Sequence, residues 1–274
     1  MAKSYRIPIL SITVLFFAFS SLFAGSTEHI NVVKSANYRD VRVELTYQIR
    51  DNQINNPRIK ISKSNKAILE EAIDIDKRVI FEDISLPIAD DIDGDWEPEI
   101  IVNLALNTKG ELNESIVYFL DNTKKQYKSI NHSWHQFLLF EEINDVNSDG
   151  IPEIITLDHQ FHKQFSQESE QDTVAPIKIW TFKNEKFVDN TKNYKDYVYQ
   201  HALNLWEKFD EERKADKPSQ KTLKLILASY LADKYSLEQS EDGWKRLKQA
   251  YQFEDSEEYF NSLKELLEKT HYSQ

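Results

Sequence analysis

The chain has 274 residues, enough for one large or two modest domains. A formal net charge of -12 excludes a general nucleic-acid binder, which needs a basic patch or stripe, and disfavours docking on anionic membranes. The absence of cysteine excludes disulfides, thiolate metal sites, a cysteine nucleophile and a lipidated-cysteine anchor.

Residues 1–24 have the layout of a secretory signal. Lys3 and Arg6 precede Ile7 to Phe23, which is almost wholly apolar, and cleavage is expected after Ala24 or after the Ala18-Phe19-Ser20 triplet. An uncleaved anchor is the alternative, but the run is short for a ~30 Å hydrocarbon core and carries Pro8. The remainder is therefore expected to be exported, periplasmic or extracellular, or else held by that uncleaved N-terminal segment.

From Glu28 the pattern becomes that of strands. Val41, Val43, Leu45 and Tyr47 alternate with Arg42, Glu44 and Thr46, the period of a half-buried strand. Asp51 to Pro57 reads as a turn, and Ile59 to Leu69 as a hairpin around Ser64-Asn65. Similar hairpins start at Ile116 and Ile177, so the starts lie 57 and 61 residues apart. A period near 60 predicts three blade-like units, too few for a closed propeller of 4–8 blades. Five glycines are also few for a regular propeller. An open stack or a sandwich-like body is expected, its edges covered by the C-terminal part or by a partner.

Two oxygen-rich stretches interrupt these strands. Asp91-Ile-Asp93-Gly-Asp95-Trp-Glu97-Pro-Glu99 and Asp145-Val-Asn147-Ser-Asp149-Gly-Ile151-Pro-Glu153 carry oxygen side chains at positions 1, 3, 5 and 9 and proline at position 8. Alternate residues of a tight loop can turn inward together, and clustered carboxylates repel unless a cation lies between them. Calcium takes 6–8 oxygens in tolerant geometry, with the carbonyl of position 7 (Glu97, Ile151) a common addition. The candidate metal ligands are therefore Asp91, Asp93, Asp95, Glu97 and Glu99 in the first loop, and Asp145, Asn147, Asp149, Ile151 and Glu153 in the second. An EF-hand is excluded, because position 12 is Val102 or Thr156 rather than glutamate. Ile100-Ile101-Val102 and Ile154-Ile155-Thr156 follow the loops and favour strands.

This turn–loop–strand arrangement resembles the calcium loops of FG-GAP (integrin-α-like, or VCBS) repeats, whose pattern is D-x-[DN]-x-D-G-x-x-[DE]. The resemblance covers Asp91 to Glu99 and Asp145 to Glu153 directly, with Val32 to Asn190 as repeat framework. It implies Ca2+ and β-blades, not a reaction. The first loop departs from it at position 6, where Trp96 replaces glycine; a bulky residue at positive φ costs about 1 kcal/mol or more, so weaker binding or another turn is expected there.

Beyond the second loop lie Asp158, His159 and His162, a second candidate metal group with His132 or His135 as further ligands; no H-E-x-x-H motif supports it. Gln164 to Asp172 reads as a polar loop. After Asn190 the spacing turns helical. Tyr194 to Phe209 forms one stripe, and Leu223 to Leu231 another, capped by Ser219. A Ser236/Gln239 capping box and an Asp255/Glu258 cap predict two more helices. The expected fold is α+β: a signal at 1–24, a β-repeat domain at 25–190 and a helical region at 191–274 with about four helices.

The function expected is a non-enzymatic exported calcium-binding scaffold for a protein or carbohydrate partner. One rival is a metal-dependent hydrolase using the Asp/His clusters or paired acids such as Glu97/Glu99 and Glu141/Glu142; neither G-x-S-x-G nor a phosphate loop is present. The other is a helical interaction module on a β spacer.

Overall fold

The computed structural model describes residues 30–50, 53–74, 81–84, 88–106, 113–134, 138–165 and 174–273. The expected signal segment lies outside these residues. No helix among them is long and apolar enough to cross a membrane. The chain divides into two compact units, 1–135 and 136–274.

The described residues of the first unit are all in strands and the turns between them. Strands β1 (Ile30–Tyr38), β2 (Val41–Arg50), β3 (Gln53–Lys63) and β4 (Lys66–Ala72) form an antiparallel meander in chain order. The predicted alternation is borne out: Val43, Leu45, Ile59 and Ile61 are fully buried. Ser64 and Asn65 sit at φ +50° and +64°, the left-handed pair of a primed hairpin turn whose twist suits the strands. The expected turn over Asp51–Pro57 is corrected. From Gln53 onward the chain is already β3, and the irregularity is a bulge opposite Thr46 to Gln48 with Asn56 at φ +52°.

The second sheet contains β5 (Phe81–Ile84), β6 (Ile88–Asp90), β7 (Glu99–Leu106), β8 (Asn113–Asp121) and β9 (Gln126–Ser133). Its order is β5-β7-β8-β9, and β6 also pairs with β7. Ile100, Val102, Leu104, Ile116 and Tyr118 join the inward residues of the first sheet in one apolar cluster, so the unit is sandwich-like.

The second unit joins sheet to helices. Strands β10 (Leu138–Asn144), β11 (Glu153–Asp158), β12 (Ile177–Lys183) and β13 (Lys186–Asp189) form an antiparallel sheet in chain order. Helix α1 (Gln160–Phe165) lies between β11 and β12, and α2 (Lys195–Glu212), α3 (Gln220–Ser236), α4 (Ser240–Ala250) and α5 (Ser256–Lys269) follow. The α+β class is as expected. Short α1 was not, although Phe161 and Phe165 stand four apart and are both buried. The rest of the expected polar loop, 166–172, lies outside the described residues.

Helix α3 is the centre of this unit. Leu225 to Ala232 is buried throughout, all round the helix rather than along one stripe. Its neighbour α4 approaches closely at Gly243, where a β-carbon would lie 2.7 Å from Leu231 Cδ1. Ser219 caps α3 as predicted, accepting from the Thr222 amide. The other two caps are corrected. Ser236 is the buried last residue of α3, and α4 starts at Ser240 without a side-chain cap. The Asp255 carboxylate is drawn instead to Gln220, Lys224 and the Tyr251 hydroxyl.

The change from strands to helices near residue 190 is therefore not the division between compact units. Leu157, Ile177 and Ile179 of the third sheet share one core with Val198, Leu205, Ile226, Leu247 and Leu263 of the helices. Buried Asp233 of α3 reinforces the joint. Its carboxylate accepts from the Ile177 amide at 3.3 Å and lies 2.6 Å from His201 Nδ1. A fragment of residues 191–274 strips the sheet from this core and leaves Asp233 without its strand partner. We expect that fragment to be unfolded by circular dichroism, whereas residues 136–274 melt in one cooperative transition.

Candidate metal centre

The first oxygen-rich loop joins β6 to β7 and the second joins β10 to β11, so both span an antiparallel pair of strands. The acid at position 9 is in each case the first residue of the outgoing strand, Glu99 of β7 and Glu153 of β11. The residue just before the loop lies opposite it, Asp90 across from Glu99 and Asn144 across from Glu153.

The two loops repeat one set of hydrogen bonds. The position 9 carboxylate reaches back to the amide of position 2, Glu99 to Ile92 and Glu153 to Val146, both at 3.0 Å. The position 1 carboxylate accepts from the amide of position 6, Asp91 from Trp96 at 3.0 Å and Asp145 from Gly150 at 2.9 Å. Its other oxygen accepts from Gly94 in the first loop and Asp149 in the second. Position 3 accepts from the amide of position 5, and position 5 from that of position 7, in both loops. These are successive Asx-type turns, which Asp and Asn form because a short side chain can reach its own backbone two residues on. Position 2 is the apolar plug: Ile92 is buried and Val146 packs on the core of its unit.

Positive φ falls at positions 4 and 6 of both loops, at Gly94 (+81°) and Trp96 (+74°), and at Ser148 (+62°) and Gly150 (+90°). The expectation of another turn at Trp96 is thus corrected: the indole rides on the backbone that glycine adopts in the second loop. Trp96 is 71% exposed, and one face of its ring is covered by the Arg39 guanidinium at 4.7 Å. Arg39 also donates to the Trp96 carbonyl.

In the first loop, carboxylate oxygens of Asp91, Asp93 and Glu99 lie within 4.8 Å of one another. Among the described residues this is the sole such group of three His, Asp or Glu side chains. Glu99 is 2% exposed. Burial, reinforced by the charge of Asp93, pushes its carboxyl up to about 9. Burial likewise raises Asp90, Asp93 and Glu153. A dication placed among these oxygens removes both the repulsion and the cost of ionising them. The donor set is hard oxygen only, which fits calcium rather than zinc or copper.

The remaining candidates have other partners. Asp95 accepts from Asn122 Nδ2, on the turn after β8, at 2.5 Å. The Glu97 side chain pairs with Lys63, leaving its carbonyl for a metal, as position 7 was expected to supply. In the second loop Asn147 Nδ2 donates to Asp149 Oδ2 at 2.8 Å. Asn122, Lys63 and Arg39 support the first loop from 27 to 57 residues away, and no local sequence signal marks them.

The histidine alternative is not assembled. Asp158 turns to the Gln160 amide and the Tyr272 hydroxyl. His159 and His162 stack with centroids 4.7 Å apart. His135 lies outside the described residues. His159 Nε2 is buried without a hydrogen-bond partner, and burial followed by the neighbouring His162 lowers its pKa to about 4.

Residues 198–271 match the family model described as the sll0997 C-terminal domain, which covers most of α2 and all of α3 to α5. No curated protein and no solved structure matches the chain.

Two expectations follow. Strain at position 96 belongs to any residue with a β-carbon, so Trp96→Gly unfolds in denaturant at higher stability than Trp96→Ala, by about 1 kcal/mol. His159 titrates near 6.5 when unfolded and lower when folded, so the unfolded state binds the extra proton between these values. Stability that is present above pH 6.5 is lost on acidification towards pH 4. The raised Asp158 and Glu153 tilt the profile the other way in any variant that keeps them. The difference in melting temperature between the parent and His159→Phe therefore moves in favour of the variant as pH falls from 7 to 4.

Proposed function

We propose that the chain is an exported, non-enzymatic calcium-binding β-repeat protein that serves as a scaffold for a protein or carbohydrate partner. The observation that carries this reading is the shared hydrogen-bond pattern of the two loops, which in the first brings three carboxylates within 4.8 Å. The converging carboxylates of the first loop repel one another, and a shared cation relieves that repulsion. Each loop joins adjacent strands, so calcium there orders the ends of a sheet. The ion's role is structural, and the ligands are Asp91, Asp93 and Glu99 with Asp95 and the Glu97 carbonyl, and Asp145, Asn147, Asp149 and Glu153 with the Ile151 carbonyl. The export signal read in residues 1–24 agrees with this, since extracellular calcium suits modules with dissociation constants of about 10⁻⁴–10⁻³ M.

Binding to the folded state alone links occupancy to stability: free ligand at 100 times its dissociation constant adds about 2.7 kcal/mol. Calcium is expected to raise the melting temperature and chelator to lower it, with Asp91→Asn/Asp93→Asn removing the part that belongs to the first loop. Identical melting with calcium and with chelator, together with no calcium in the purified protein by mass spectrometry, overturns the reading.

A further inference from the structure

The two loops share a backbone pattern but differ in what holds the acid at position 9. In the first loop no described residue donates to Glu99 Oε1; the nearby Tyr127 hydroxyl goes to the Pro98 carbonyl at 3.2 Å. In the second, Glu153 has both oxygens engaged. Val146 N donates to Oε2, and the Tyr194 hydroxyl donates to Oε1 at 2.9 Å. Tyr194 stands immediately before α2 and begins its hydrogen-bond ladder, its carbonyl accepting from the Val198 amide at 3.0 Å. Three residues on, the Tyr197 hydroxyl donates to Glu142 Oε1 at 2.7 Å. Glu142 belongs to β10 and Glu153 to β11, the two strands that the loop joins. The first turn of α2 thus grips the loop from both sides by two tyrosine hydroxyls.

We propose that Tyr194 is a positioning residue for the calcium loop at Asp145–Glu153, and that it couples occupancy of that loop to the first turn of α2. The inference rests on the calcium reading above. A carboxylate fixed at both oxygens presents one orientation to an ion. Partners of metal ligands in this role typically change affinity by 10–100-fold. Coupling is reciprocal: if the tyrosine contact favours the ion, the ion favours the contact and hence the helix start. The helical region is in that case part of the ion's response rather than a passive neighbour.

The test uses the full chain with the first loop silenced by Asp91→Asn/Asp93→Asn. Calcium affinity is measured by calorimetry, and amide exchange over residues 195–201 is followed with and without calcium. Tyr194→Phe is expected to weaken calcium about tenfold and to abolish the calcium-dependent slowing of exchange in α2. Tyr199→Phe, on the same helix with its ring half exposed, leaves both unchanged. Calcium affinity within twofold of the parent, or α2 protection that persists in Tyr194→Phe, overturns the coupling while leaving the calcium reading intact. A first-loop-silenced chain that binds no calcium overturns the coupling, and an unmodified chain that binds none overturns the calcium reading as well. Should Tyr194→Phe fail to fold, exchange in the first-loop-silenced chain itself carries the test: calcium that binds without slowing amide exchange over residues 195–201 refutes the coupling.

Discussion

The hydrogen bond from the position 2 amide to the position 9 carboxylate is the constraint on which both loops depend. Glu99 and Glu153 are first residues of strands, so their backbones are set by the ladder with β6 and β10. Both residues are 2% exposed. A buried carboxylate must find donors or be neutralised. Each finds the amide seven residues back, and that bond closes the loop into a ring. Closure leaves the intervening amides facing inward, and the Asp and Asn side chains at positions 1, 3 and 5 turn in to satisfy them. In the first loop this also brings carboxylate oxygens of Asp91, Asp93 and Glu99 together, and the repulsion there is what a dication relieves.

The same ring is set in two different surroundings. In the sandwich unit it carries three close carboxylates and the exposed Trp96, steadied by Arg39, Lys63 and Asn122. In the sheet–helix unit it carries an asparagine in place of one acid and is tied to helix α2 by Tyr194 and Tyr197. Equal backbones with unequal supports favour unequal roles. The first is the more highly charged. The second is tied to the start of α2, just ahead of residues 198–271, which match a known family model.

That region is not a free-standing bundle. Helix α3 is buried all round because it has the third sheet on one side and the other helices on the rest. The buried Asp233, whose carboxyl is raised by burial despite its His201 partner, sits where strand, α2 and α3 meet. Replacing one partner of such a group leaves the other uncompensated, which is why this contact holds the layers in one arrangement.

What was legible in the amino-acid sequence is what local chemistry determines. Alternation of two placed the inward faces of β2 and β3, Ser64-Asn65 marked a hairpin, and the spacing of Asp, Asn and Glu marked both loops, since Asx turns and left-handed residues act over a few positions. The α+β class followed from the switch of period after Asn190. Tertiary structure alone decided the rest. It assigned the third sheet to the helices, because apolar faces do not name the face they will meet. It drew Asp255 away from its cap and the Glu97 side chain away from the ion site towards lysines far along the chain. It held Trp96 in glycine's conformation, since the ring of hydrogen bonds around the loop outweighs the strain of one residue. And it placed a tyrosine on Glu153 from 41 positions away, a contact that no local pattern encodes.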